Sequence, residues 1–312
     1  MIQPRTVPSV VVAVTTCRRS EALTIALASL RRQLTQVPGS RLVVVDYDVE
    51  PSAASVVEPV AALDRRIRYL HRPGTRVEAA RKDALDAAAG ADLLVILDGE
   101  EQPGERWLAA LVSTWHAQHQ PAAVVGPVVP IFQGDPDPWV TAGGFFSGPR
   151  HVTGDEVVAV RSNNLLLDLS ELQRLDLPFD PSPGFADAPD TVISRRLSSV
   201  GGRIVWCDEA VVFDPVPLDR ATRRWVQDST SRSADCDLRA RVSLARPGLP
   251  RLAARLRGTL AGAARLVGGG LRLAYGRLLG SLRNDARGTG TALRGAGMVR
   301  GAWGQVAPDC AG

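Results

Sequence analysis

The residues Leu94-Val95-Ile96-Leu97-Asp98-Gly99-Glu100-Glu101 drive an apolar stretch of strand length into three carboxylates within four positions. Unpaired carboxylates are costly to bury, so a buried strand has no reason of its own to end this way. A divalent cation taking hard oxygen ligands at the strand end would account for it. A solvated acidic turn is the plainer alternative. Two more apolar runs end in polar clusters, the first at Thr15-Thr16-Cys17-Arg18 and the second at Asp46-Tyr47-Asp48. Polar ends on three successive strands point to one composite site.

Those strand ends need a scaffold to bring them together. Strands are predicted over residues 9–14, 42–45, 67–70, 93–97, 157–160 and 203–207. Helices are predicted over 21–33, with Ser20 as N-cap, and over 57–63, 76–89, 107–119 and 191–200. Short apolar strands alternating with helices imply an α/β fold, with a mostly parallel central sheet covered by helices on both faces. In such a sheet ligands bind beyond the carboxyl ends of the strands. The first strand is not followed by Gly-x-Gly-x-x-Gly, which argues against a dinucleotide oxidoreductase. Residues 133–149 and 182–190 read as long loops, and Asn163-Asn164 as a turn. His71, His116, His119 and His151 have no ligand spacing and read as surface or loop residues.

The chain has 312 residues, enough for one large domain and an appendage. Cys17, Cys207, Cys236 and Cys310 show neither metal-ligand nor disulfide-framework spacing, so reduced thiols in a cytoplasmic setting are expected. No signal-peptide pattern opens the sequence, and no apolar run reaches the roughly 18 residues of a membrane span.

Taken in order, the motifs resemble an inverting family 2 glycosyltransferase with the GT-A nucleotide-diphospho-sugar transferase fold, of the bacterial type that makes exopolysaccharide or cell-surface glycans. The resemblance covers about residues 8–225, and its weight lies in joint order and spacing. It implies that Thr15, Thr16, Arg18, Asp46 and Asp48 meet the nucleotide donor, with Asp46 on the base. Arg81, within Ala80-Arg81-Lys82, is implied to lie near the nucleotide. Asp98 is implied near the ribose and, with Glu100, on Mg²⁺ or Mn²⁺. In Ala188-Pro189-Asp190-Thr191 the resemblance makes Asp190 the catalytic base. Asp187 stands in for the neighbouring carboxylate that Pro189 removes.

The implied reaction moves a sugar from a nucleotide-diphospho donor to a hydroxyl of a surface glycan or lipid-linked saccharide. One base and no covalent intermediate give inversion. Gly99 replaces a frequent acid, Glu100 is longer than the usual Asp by a methylene, and Pro189 replaces Glu. These departures leave a second reading, a catalytically degraded GT-A domain acting as a membrane-tethered saccharide binder or scaffold.

The expected division is a GT-A domain over 1–230 and a basic, amphipathic helical tail over 231–312. Residues 239–312 hold thirteen arginines against Asp285 and Asp309, a net of +11, so 1–238 carry −7 of the chain's +4. Leu252, Leu256, Leu260, Val267, Leu271, Leu278 and Leu282 recur near helical spacing, with Gly268-Gly269-Gly270 interrupting them. Such a helix suits an anionic membrane surface, peripheral and on the inner face. Packing on the transferase domain or a second subunit is the alternative. Little aromatic interleaving argues against nucleic acid.

Overall fold

A computed structural model describes residues 7–74, 77–158, 163–177 and 189–304, excepting the side chains of 78, 189–193, 240 and 244. The chain divides into two compact units.

In the first unit, β1 (Val10–Thr16), α1 (Ser20–Gln36), β2 (Ser40–Asp46), α2 (Ala54–Leu63), β3 (Ile67–His71), α3 (Val77–Ala87) and β4 (Leu93–Asp98) alternate. β5 (Gln102–Pro103), α4 (Trp107–Ala117) and β6 (Ala123–Val125) follow. Next comes β7 (Val128–Phe132), then, after α5 (Pro138–Gly143) of the second unit, β8 (Leu165–Asp168), α6 (Leu169–Arg174), α7 (Pro189–Ser199), β9 (Ile204–Trp206) and β10 (Val212–Val216). Among the described residues a seven-stranded sheet runs β3-β2-β1-β4-β8-β6-β9. β1 is parallel to β2 and β4, β2 to β3, and β6 to β9, whereas β8 is antiparallel to both its neighbours.

Every residue of β1 is buried, as a strand covered on both faces requires. On one face Val10, Val12 and Val14 share a core with Leu23, Leu27, Leu30 and Trp107. On the other, Val11 and Ala13 share one with Val45, Ala80 and Ala84. The α/β expectation therefore holds.

Several local expectations need correction. The strand expected over 157–160 is replaced, in its described part, by an isolated bridge between Glu156 and Val205, and Val158 is exposed. The ladder forms instead with the leucines of β8, which the core can bury on both faces. Ser20 opens α1 without capping it, and Arg19 stands at the N-cap. α7 begins at Pro189 rather than Thr191, because proline's fixed φ suits a first helical turn. Asp190 thus lies inside that turn.

The second unit is mainly helical and takes in residues 130–147 as well as the chain from 216 onward. α5 lies within the stretch expected to be a loop, capped by the Asp137 carboxylate on the Trp139 N–H. Trp139 Nε1 donates to Asp285 Oδ1 at 2.6 Å, and Trp139, Val140, Val226 and Ala286 share a small core. α8 (Arg223–Leu244), α9 (Leu249–Leu278) and α10 (Leu282–Trp303) complete the unit. Cys17 and Cys207 are free thiols, but Cys236 on α8 is disulfide-bonded, correcting the expectation of reduced thiols. Cys310 lies outside the described residues.

α9 runs through Gly268-Gly269-Gly270 without a break, which corrects the expected interruption. The reason is tertiary. A Cβ on Gly269 would stand 2.4 Å from the Ala292 backbone nitrogen, so glycine lets the two helix backbones approach. At about 100° per residue, Gly258, Gly262, Gly269 and Gly276 line this packed side, and Leu249, Leu256, Leu260, Val267, Leu271 and Leu278 fall roughly opposite. Leu260 and Leu271 are 71% and 69% exposed. The leucine stripe points away from the helical packing. No described helix is long and apolar enough to cross a membrane.

A sign test of this packing follows. Gly268 and Gly270 have nothing within 4 Å of an added Cβ, so alanine at either should stabilise by up to about 1 kcal/mol through helix propensity. Gly269→Ala should destabilise by about 1–3 kcal/mol through overpacking. Urea unfolding of the three variants checks the contrast, and equal shifts would refute the close approach.

Candidate active site

Strand register creates the site. Thr15 pairs with Asp98 across β1 and β4, and Thr16 with Asp46 across β1 and β2. The three polar strand ends of the sequence therefore share one edge of the sheet.

Asp98 joins β1 to α3 at that edge. Its Oδ1 accepts from Thr15 Oγ1 at 3.4 Å and pairs with Arg81 Nη2 at 3.4 Å. The Arg81 side chain is only 5% exposed, whereas that of Asp98 is 34% exposed and can still receive a ligand. Arg81 comes from α3, whose alanines Ala80 and Ala84 pack on the sheet and hold the arginine beneath the strand ends. Glu100, one residue beyond Gly99, forms an ion pair with Arg19. Gly99 is required here, since a Cβ would lie 2.8 Å from Thr16 Cβ. Thr16 itself is buried and fills that space.

The β2 end forms a second cluster. Asp46 is fully buried, and its carboxylate accepts from the backbone N–H of Asp48 and Ala53 and from Tyr69 O–H, the last two at 2.8 Å. Burial, and then the bond to Asp46, pushes the Tyr69 phenol well up. Asp46 thus ties the 46–53 loop together. Asp48 pairs with the exposed Arg18 at 3.2 Å. His71 Nε2 lies 3.0 Å from the Asp48 carbonyl oxygen, so this histidine is part of the loop's support rather than a surface residue.

Behind Asp98 lies Glu101, which the sequence marked only as a third acid. It is 1% exposed, accepts from the Asp98 N–H at 3.0 Å, and accepts from Asn163 Nδ2. Asn164 is a second hub. It donates to the carbonyls of Pro127 and Ala210 and accepts from Trp107 Nε1 at 2.7 Å. Asn163-Asn164 is therefore a buried turn locked to the site's floor. Tyr69 carried no distinguishing pattern in the sequence, and nothing there gave Glu101 or Asn163 a buried role. Their roles depend on strand pairing.

Burial, and then the Asp98 charge, pushes the Glu101 carboxyl well above its ordinary 4.5. A carboxyl raised in this way costs nothing below its unfolded value and increasingly destabilises the fold as pH climbs toward its folded value. Asn163 Oδ1 is buried without a partner and could accept from an amide at 101. Glu101→Gln should therefore stabilise the metal-free protein, and the gain over the parent should grow as pH rises through the range above about 4.5. Thermal unfolding in a chelator checks this. A gain independent of pH would show that Glu101 does not titrate in that window.

The residues at the edge fit a divalent cation. Asp98 and Glu100 present hard oxygens, both still partly exposed, and both already attract a cationic guanidinium. Among the described residues no cluster offers three or more His, Cys, Asp or Glu ligands. Two carboxylates with phosphate and water oxygens making up the rest is a familiar arrangement for Mg²⁺. Asp190 lies in the first turn of α7 with its side chain outside the described set, and Asp187 lies outside the described residues.

Comparison with known proteins agrees with this architecture. The succinoglycan biosynthesis protein ExoM of Rhizobium meliloti is 33% identical over 196 residues, which span 62% of this chain and 62% of that protein. A crystal structure of GalNAc-T7 with UDP, GalNAc and Mn²⁺ superposes with a TM-score of 0.55 at 12% identity. That match covers 76% of this chain and 48% of the other, and the likeness is one of fold. The chain thus spans less than two thirds of either relative. Residues 11–167, half of the chain, match the model for glycosyl transferase family 2. That stretch contains β1 through β4, both acidic strand ends and Arg81, and by it the chain belongs to glycosyl transferase family 2.

Proposed function

We propose that this chain transfers a sugar, with inversion, from a nucleotide-diphospho donor to a hydroxyl of a cell-surface glycan or lipid-linked saccharide. The observation that carries the reading is the register that sets Thr15, Arg81 and Asp98 together beside Glu100 within the family-matched region. Thr15, Thr16, Arg18, Asp46, Asp48, Arg81 and Asp98 form the donor side. Asp98 and Glu100 would hold Mg²⁺ or Mn²⁺, which supplies charge neutralisation for the departing nucleoside diphosphate. Arg81 keeps the Asp98 carboxylate in place, and the Gly99 turn keeps Glu100 close to it. Asp190, with Asp187 as its substitute, takes the proton from the acceptor hydroxyl. The name of the succinoglycan relative supports an exopolysaccharide acceptor, and the UDP and Mn²⁺ of the GT-A neighbour support the donor class and metal. Nucleotide sugars offered with Mn²⁺ should raise the melting point and be slowly hydrolysed. No response to any of them would overturn the reading.

Residues 1–230 carry this chemistry, and 231–312 hold the enzyme peripherally at the inner face of the membrane. The outward leucine stripe of α9 supports this, with Arg257 beside it, because anionic head groups attract such residues. The full chain should sediment with anionic vesicles, less so as salt rises. Leu260→Glu with Leu271→Glu should abolish sedimentation while leaving the fold intact, since both side chains are exposed. Equal binding of neutral vesicles would implicate the apolar stripe alone, and no binding would remove the membrane role.

A further inference from the structure

The ion pair between Arg19 and Glu100 joins two residues that the donor chemistry treats in opposite ways. Arg19 is the N-cap residue of α1, three residues beyond the end of β1, and its side chain makes no capping hydrogen bond to that helix. Glu100 follows β4 and is the more exposed of the acids after Asp98. The Arg19 side chain, 35% exposed, reaches across the strand ends to Glu100, which is 21% exposed. Arg19 also shares the electrostatic surroundings of Tyr47 with Asp98 and Arg81, so it belongs to the same cluster.

Arg81 is nearly buried and fixed on Asp98, whereas the partly exposed Arg19 can swing, and its guanidinium on Glu100 repels an incoming divalent cation there. A donor that brings a metal also brings a diphosphate, and a planar guanidinium fork is well matched to phosphate oxygens. We infer that Arg19 is an exchangeable counter-ion: it neutralises Glu100 in the ligand-free enzyme, yields that carboxylate to the divalent cation, and transfers its own guanidinium to the donor diphosphate. The inference rests on the reading of Glu100 as a metal ligand. It assigns Arg19 as a donor-binding residue whose position depends on occupancy of the site. Such an exchange keeps the two acids from facing each other uncompensated, and it couples metal entry to diphosphate capture without any movement of the strands.

The exchange predicts effects of opposite sign from one substitution. In Arg19→Met the competitor for Glu100 is gone, so Mn²⁺ alone, measured by electron paramagnetic resonance of the free ion, should bind about two- to fivefold more tightly. UDP at saturating Mn²⁺, measured by calorimetry, should bind at least about tenfold more weakly for lack of a charge-assisted phosphate contact. Arg19→Lys keeps a charge but not the fork, and should fall between the parent and Arg19→Met in both measurements. It also serves if Arg19→Met folds poorly. Weaker binding of both Mn²⁺ and UDP would make Arg19 a simple support of the loop and overturn the inference, as would unchanged Mn²⁺ binding in both variants. Glu100→Gln in the same assay separates the two levels. If Glu100→Gln leaves Mn²⁺ affinity intact, the metal assignment itself fails. If it weakens Mn²⁺ while the Arg19 variants do not tighten it, only the exchange fails.

Discussion

Asp190→Asn should lower turnover by roughly 10²–10⁴, the loss expected when general-base catalysis is removed, with donor affinity nearly unchanged. The substitution preserves side-chain volume. It also leaves Pro189 to start the α7 turn, so the melting point should stay close to that of the parent. Steady-state kinetics across donor concentrations separate the two quantities. A fall in kcat with constant KM fits a base, whereas a rise in KM at constant kcat would move Asp190 to the donor side. Full activity would direct the same experiment to Asp187.

Glu100→Gln should abolish the extra stability that a metal–nucleoside diphosphate complex gives the protein. That increment is about 2.7 kcal/mol at a hundredfold excess over Kd. The ligand-free variant should melt near the parent temperature, because the lost partner, Arg19, is partly exposed and surface ion pairs contribute little. Asp98→Asn should also abolish the metal response but should lower ligand-free stability as well, since it removes a charge partner of the nearly buried Arg81. Thermal unfolding with UDP, with and without Mn²⁺, reads both effects. A retained metal response in both variants would sink the two-carboxylate site, and equal ligand-free stability would show that Asp98 does not hold Arg81.

Much of the architecture was legible because it follows from local pattern. Short valine- and leucine-rich runs alternating with helical periodicities can be buried on both faces only in a covered parallel sheet, and β1 through β4 form one. The acidic ends were legible too, because carboxylates at the end of an apolar run need a cation or water. Single-residue features of the termini were less so. Ser20 has the right chemistry for a cap, yet the helix starts at it. Val157-Val158 has strand propensity, but only Val157 is buried while Val158 faces outward, so the pairing stops at a single bridge.

What the residues determined unaided was which side chains could do chemistry and on which kind of scaffold: alternating apolar strands and helices, acids at strand ends, and a tail with leucines on one helical line and arginines off it. What only the tertiary structure decided was who meets whom. Register places Thr15 beside Asp98, sets Arg19 on Glu100, and seals Asp46 and Glu101 into the floor of the site, roles that identical carboxylates cannot announce in sequence. The glycine triplet shows the same principle. By propensity it breaks a helix, but against the backbone of α10 a missing side chain becomes the contact, and the leucines are left facing outward. The physical reason is common to both cases. Propensity and periodicity are properties of a chain and its immediate neighbours, whereas burial, ion pairing and close backbone approach are set by partners dozens of residues away.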